Sequence, residues 1–229
     1  MGNTTDAISV LEDSVMDKFC YDVKKFDLAS VVKDVFDIEN LEQLHTQQVG
    51  PNKIPDDPSK DQATAFHKTF YRIFDGKNSK FLSVYKALAG YIASRHFPEE
   101  KMVYQTRPTF RVQIPNNIAV AKWHKDKAYN HSEREINIYA PLTKAFDTNT
   151  VWAESEEDKG DYSPMNADLG EYYIWDGANL THGNKKNTTG QTRVSIDFRL
   201  IPLRDFSYKG TSVTTKVPMK LGYYWELFE

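Results

Sequence analysis

The sequence predicts an α+β, mainly β protein: a double-stranded β-helix (a jelly roll, cupin-like) with N-terminal helices packed on one of its sheets. Three observations point there. Up to Pro98 the apolar residues recur at spacings of three and four, the period of a helix. Beyond Pro98 they alternate at period two, the period of a strand. About eight strand-length runs then follow one another between turn-forming residues, and that many short strands after a helical half fold into a double sheet.

The elements follow in order. Residues 1–14 are polar and expected to fray. From Val15 to about Gln48 helical spacing fits better than alternation, with Leu28, Val31, Val32, Val35 and Phe36 as one stripe and Asn40 as the cap of a following turn. Gly50 to Lys60 holds three prolines among Asp and Asn and reads as a loop. Asp61 to Phe74 carries Ala65, Phe66, Phe70 and Ile73, and Asn78 is expected to cap a helix that runs to about His96. The predicted strands are Met102–Thr106, Thr109–Ile114, Ile118–Asp126, Glu135–Ala140, Asn149–Glu154, Gly170–Trp175 and Thr192–Ile201. Turns are expected at Pro115-Asn116-Asn117, Asp176-Gly177 and Thr189-Gly190, and the acidic stretch Ser155 to Asn166 as a mobile loop at the mouth of any site.

Composition narrows the class. The 229 residues suit a single domain, in which 1–98 would support a core formed by 99–229. A content of 40% hydrophobic and 27% charged residues is that of a globular protein. With a net charge of −3 there is no basic surface to recruit nucleic acid or an anionic membrane, so the expected partner is a small molecule. One cysteine, Cys20, excludes a disulfide scaffold, and no apolar run approaches a membrane span. The N-terminal stretch lacks a signal pattern, and Asp6 stands where a myristoylation motif needs Ser or Thr. The expected compartment is the cytoplasm.

Two short motifs carry the chemistry. Trp123-His124-Lys125-Asp126 places two metal-ligating side chains two residues apart, on one side of a strand. Thr181-His182-Gly183 adds a second histidine, and two histidines with one carboxylate form the facial triad of non-haem iron(II), with open positions for substrate and oxygen. The fifty-six positions from Asp126 to His182 leave room for four or five short strands to bring them together. Zinc or manganese on the same ligands, in an isomerase or hydrolase, is the alternative, and a metal-free binding module another. His131 sits in Tyr129-Asn130-His131-Ser132, a turn, and is expected to line the entrance rather than ligate. Along Thr192–Ile201, Arg193, Ser195, Asp197 and Arg199 share one face. Such a polar face belongs either in water or along a site cavity.

The ordered set of His-x-Asp, His-Gly and Arg-x-Ser resembles the iron(II)- and 2-oxoglutarate-dependent oxygenase superfamily. Within it, Glu135-Ile136-Asn137, Trp152-Ala153-Glu154-Ser155, His182-Gly183-Asn184 and Thr192 to Arg199 are similar to streptomycin-biosynthesis-type oxygenases, over roughly residues 100 to 203. The resemblance implies iron(II) on His124, Asp126 and His182, with 2-oxoglutarate and O2 as cosubstrates. It implies Arg193, eleven residues after His182, as the clamp on the far carboxylate of 2-oxoglutarate, with Ser195 beside it. A guanidinium suits that task because it binds a carboxylate in two-pronged fashion. Halogenating relatives carry a small residue in place of the aspartate, so Asp126 favours hydroxylation, with desaturation or ring formation as the alternatives. Arg107, Arg111, Asn137, Trp152, Arg199 and His131 are the expected substrate-side residues, for a small polar metabolite such as an amino acid or aminocyclitol-like compound.

Overall fold

A computed structural model describes residues 15–47, 64–74, 79–118, 122–207, 210–213 and 216–228. One edge strand, Met16–Cys20, precedes three α-helices. Helix α1 (Leu28–Phe36) starts where Asp27 accepts the Ser30 N–H and ends at Asp37 in the left-handed region, φ 48. Asn40 caps Leu41–Thr46, a 3-10 turn. Helix α2 (Ala65–Phe74) and helix α3 (Lys80–His96) follow, and the cap of α3 is Ser79, whose hydroxyl accepts from the Leu82 N–H. The expected cap Asn78, the helix start near Asp61 and the proline loop 50–60 lie outside the described residues.

The strands are β1 (Met16–Cys20), β2 (Met102–Gln105), β3 (Thr109–Gln113), β4 (Ile136–Pro141), β5 (Val151–Ala153), β6 (Ser163–Pro164), β7 (Glu171–Trp175), β8 (His182–Asn184), β9 (Arg193–Pro202) and β10 (Trp225–Leu227). They form two antiparallel sheets. The larger has β9 at its centre, with β4, β7 and β1 in succession on one side. On the other side β3 pairs with Arg193–Asp197 and β2 with Leu200–Pro202, so two short strands share one edge of a long one, and β10 lies beyond β2. The smaller sheet runs β6-β5-β8.

Alternation sorts the larger sheet into an apolar and a polar face. Phe110, Val112, Ile136, Ile138, Ala140, Tyr172, Ile174, Val194, Ile196, Phe198 and Leu200 form one buried cluster with the helices. Phe70 stacks on Phe110 at 3.8 Å, and Tyr85 meets Phe198 edge-on at 5.1 Å. Each such ring contributes about 1.5–3 kcal/mol through burial. The opposite face carries Gln113, Arg193, Ser195, Arg199 and Asn137, together with Tyr139 and Trp175. Tyr139 and Trp175 pack against Ala153 of the smaller sheet in a second, smaller core. The sheet therefore separates a stabilising layer from a polar one, and the polar layer is where a site can form.

Two expectations fail locally. Met16–Cys20 is an edge strand on β7 rather than part of a helix, because pairing with Trp175–Glu171 outweighs a weak local pattern. Ile118–Asp126 is not a continuous strand. Residues 119–121 lie outside the description, His124 makes a single bridge to His182, and Asp126 opens a 3-10 turn that ends at Tyr129. Strands β6, β8 and β10 are two or three residues long, too short to show a period. No helix among the described residues is long and apolar enough to cross a membrane.

Candidate metal centre

His182 opens β8, opposite Ala153 of β5, and on its other side exchanges two backbone hydrogen bonds of 2.9 Å with His124. That bridge sets the two imidazoles 4.4 Å apart, centroid to centroid. Asp126 arrives differently from the expectation of a shared strand. Its N–H donates to the Gly177 carbonyl at 3.0 Å, and the chain then turns, so the carboxylate enters from the first residue of the 3-10 turn. One ligand atom from each of His124, Asp126 and His182 lies within 4.8 Å of the others. Among the described residues this is the one such His/Cys/Asp/Glu group.

The hydrogen atoms can be placed by chemistry. Nδ1 of His124 faces the Lys122 carbonyl and Nδ1 of His182 the Leu180 carbonyl, both at 3.0 Å. A carbonyl only accepts, so each Nδ1 carries a proton, which leaves Nε2 as the nitrogen that can offer a lone pair to a metal. Those Nε2 atoms lie 3.5 and 3.7 Å from Asp126 Oδ1. Burial pushes His182 down to about 4, which outweighs the opposing pull of Asp126 and keeps the ring neutral near pH 7. Burial alone would push the Asp126 carboxyl up; the Arg199 guanidinium and the two histidines hold it well below the usual range. Two imidazole lone pairs and one carboxylate oxygen converging on a single point form a donor set that fits a divalent transition metal.

The other oxygen, Asp126 Oδ2, accepts from Arg199 Nη2 at 2.6 Å, Arg199 Nε at 3.1 Å and Asn137 Nδ2 at 2.7 Å. Arg199 and Asn137 thus sit behind the aspartate, a position that sequence reading assigned to the substrate side. Arg193 lies farther along β9 and is 1% exposed. Its Nη1 donates to Ser195 Oγ at 2.7 Å, and its Nη2 to Gln113 Oε1 at 3.1 Å and Asn184 Oδ1 at 3.0 Å. Its Nε is buried without a hydrogen-bond partner. Gln113 and Asn184 were missed, although Gln113 shares the face of Arg111 and Asn184 lies two residues past His182; period two was the available signal.

Other expected site residues disperse. His131 is engaged with Glu135 Oε2 at 2.7 Å and is not part of the three-residue cluster. Arg111 pairs with Asp197 at 2.9 Å on the polar face. Arg107 is exposed and lies over the Phe74 ring of α2, on the helical side, because the chain between β2 and β3 leaves the sheet there. Trp152 is half-buried, opposite in phase to buried Ala153. Its Nε1 donates to the Asp147 carbonyl, and Lys185 Nζ sits over its ring at 3.2 Å. The acidic stretch lies against the ligand segment: Glu157 accepts from Lys125 and Lys127 at 2.9 and 2.8 Å, and Tyr162 meets Trp123 at 4.4 Å.

With this geometry in hand, the chain compares as follows. The streptomycin biosynthesis protein StrG of Streptomyces griseus is 35% identical over 208 residues, covering 90% of this chain and 95% of that protein. EctD from S. alaskensis, solved with bound iron, superposes with a TM-score of 0.55 at 10% identity over 91% of this chain and 82% of EctD. SnoK, a non-haem α-ketoglutarate-dependent carbocyclase of nogalamycin biosynthesis, gives 0.52 at 9% identity, covering 99% of this chain and 96% of SnoK. EvdO2 from Micromonospora carbonacea var. aurantiaca gives 0.52 at 14% identity over 88% of this chain and 91% of EvdO2. These structures share the fold. No protein-family model matches the chain.

Proposed function

The chain belongs to the family of the streptomycin biosynthesis protein StrG, and on that footing we propose that it is a non-haem iron(II)- and 2-oxoglutarate-dependent oxygenase that hydroxylates a small polar metabolite. His124 Nε2, His182 Nε2 and Asp126 Oδ1 would hold the metal. Iron(II), 2-oxoglutarate and O2, when bound, would supply the oxidising chemistry, in which one oxygen atom enters succinate as CO2 leaves and the other enters a substrate C–H bond to give the alcohol.

One observation carries the cosubstrate assignment. Each charge on the polar face of β9 has an opposite partner except one. Asp197 is paired with Arg111 and Arg199 with Asp126. Arg193, the most buried, meets only the neutral oxygens of Ser195, Gln113 and Asn184 among the described residues. An unpaired buried cation costs several kcal/mol, a cost that an incoming carboxylate removes. Asn184 is two residues from His182 on the same short strand, about 7 Å along it, so this strand carries a proposed metal ligand at one end and a hydrogen-bond partner of the guanidinium at the other. That span is the reach of a five-carbon dicarboxylate chelated at its keto-acid end. Ser195 Oγ, already bound by Arg193, can turn its own hydroxyl proton to the same carboxylate. The half-open Arg111–Asp197 pair, with side chains 18% and 22% exposed, keeps this face of the sheet polar and supports a polar substrate.

The test uses purified protein without oxygen. Addition of iron(II) and then 2-oxoglutarate should give a weak visible charge-transfer absorption, and oxygen should then release succinate in the presence of a suitable amino acid or aminocyclitol. A protein that binds zinc or manganese but gives neither absorption nor succinate is an isomerase, a hydrolase or a binding module instead.

A further inference from the structure

We propose that Arg199 and Asn137 are positioning residues that hold Asp126 so that it offers a metal Oδ1 alone. The inference rests on the metal-centre reading above. Strand register places the two directly opposite each other, Asn137 on β4 and Arg199 on β9. Both side chains leave the polar face and converge on Asp126 Oδ2 with three N–H donors. A carboxylate oxygen has two lone pairs, so three donors leave Oδ2 nothing to give a metal. Oδ1 is the oxygen that faces both imidazoles. A second bond from the same carboxylate would occupy one of the positions that chelation and oxygen require.

Both donors are themselves held. Arg199 Nη1 donates to Gln105 Oε1 at 3.2 Å, and the Gln105 amide is tied to the Arg107 carbonyl at 2.5 Å. Glu135 Oε2 lies 3.5 Å from Arg199 Nε, so the guanidinium sits between two carboxylates and does not cancel the charge of Asp126 outright. Asn137 is backed by Gly177, where an added Cβ would come within 2.6 Å of Asn137 Nδ2 and 2.9 Å of Trp175. Glycine is what leaves the amide room to lie against the aspartate.

A role limited to charge makes the opposite forecast. If Arg199 only neutralises a buried carboxylate, its removal should tighten the binding of a dication, and lysine should substitute for it. Positioning requires the planar fork, which an ammonium lacks. The experiment titrates Co(II) into the wild type, Arg199→Lys, Arg199→Leu and Asn137→Ala without cosubstrate, by calorimetry and by the visible spectrum of the bound ion, with thermal melts as a check on folding. Arg199→Lys and Asn137→Ala should each weaken Co(II) by on the order of 10- to 100-fold, the usual effect of removing a partner of a ligand. Their Co(II) spectra should also change as Oδ2 becomes free to bind. Wild-type affinity and spectrum in both variants, or tighter binding in Arg199→Leu with normal binding in Arg199→Lys, overturns the proposal. Should Arg199→Leu fail to fold, Asn137→Ala decides alone, since it removes a donor without changing charge. A wild type that takes up no Co(II) instead removes the metal-centre reading itself.

Discussion

At residue scale, the two histidines solve one problem in the same way, since Nδ1 of each is held by the carbonyl two residues before it and Nε2 is left outward. The carboxylate is the single anionic member of the set. Asp126→Ala should therefore abolish succinate release and strip most iron affinity, whereas His131→Ala should keep iron, because His131 is bound to Glu135 and stands outside the cluster. Equal loss of iron from both variants would mean that the wrong residues have been assigned. Arg193→Leu should raise the apparent constant for 2-oxoglutarate more than a hundredfold and leave iron nearly untouched. That follows from the roughly 3–5 kcal/mol lost when one partner of a buried charge pair is removed, at about 1.4 kcal/mol per decade. Arg193→Lys should recover only part of it, since Nη1 and Nη2 reach three different acceptors that a single ammonium cannot span. The counterpart Arg199→Leu should spare the 2-oxoglutarate constant relative to its effect on metal, a comparison made in one titration series.

At the scale of elements, β8 is the smallest part on which the site depends. It spans three residues and carries His182 and Asn184, one toward the metal ligands and one toward Arg193. Between them Gly183 accepts the Trp123 ring against its backbone, so close that an added Cβ would lie 2.8 Å from the indole. Trp123 directly precedes His124. Gly183→Ala should thus push apart the two segments that hold the histidines. The expected result is a stability loss of about 1–3 kcal/mol, typical of overpacking, together with a marked fall in metal affinity. A variant that loses stability but binds Co(II) as the wild type does would show that Trp123 has no part in setting the ligands. Strand β9 gives the contrasting case. Phe198 faces the helices and packs edge-on to Tyr85, so Phe198→Ala should cost about 3–5 kcal/mol with little change in metal affinity of the folded fraction, read by denaturant titration beside calorimetry.

Over the whole molecule the central sheet keeps these consequences apart, with a helical layer on one face and the polar residues of the metal centre on the other. Burial also gives the protein a calculable response to acid. His67 is pushed down to about 3, first by burial and then by the nearby Arg111 and Arg193 charges, and His182 to about 4, chiefly by burial. In the unfolded chain both titrate near ~6.5. Between pH ~6.5 and ~4 the unfolded state therefore binds protons that the folded state refuses, and stability falls as the pH falls. The slope of the metal-free protein should approach about 1.4 kcal/mol per pH unit for each of the two histidines. Asp126, with its depressed pKa, holds its own contribution until the pH drops below ~3.9. Urea unfolding at pH 7 and pH 5 measures the effect, and equal midpoints would show that neither ring resists protonation.

Much of this was present in one dimension. The 3.6-residue stripe of α1, the period-two alternation of β9 and the order of His-x-Asp, His-Gly and Arg-x-Ser are all local patterns, readable because side-chain direction repeats with backbone geometry. Alternation alone divided Arg193, Ser195, Asp197 and Arg199 from Val194, Ile196, Phe198 and Leu200. It could not say which arginine meets which carboxylate. Arg199 reaches Asp126 across seventy-three positions of sequence, and Arg193 reaches Gln113 across eighty. Such partners are decided by strand register, which exists only once β9 lies between β4 and β3. For the same reason the sequence misplaced Met16–Cys20, whose strand character comes from its neighbour β7 and not from its own residues. It also drew a strand through His124 and Asp126, where the folded chain makes one bridge and then a turn. Residue types and their order belong to the sequence; the approach of three ligand atoms to within 4.8 Å belongs to the tertiary structure, because it depends on contacts between segments that no local pattern records.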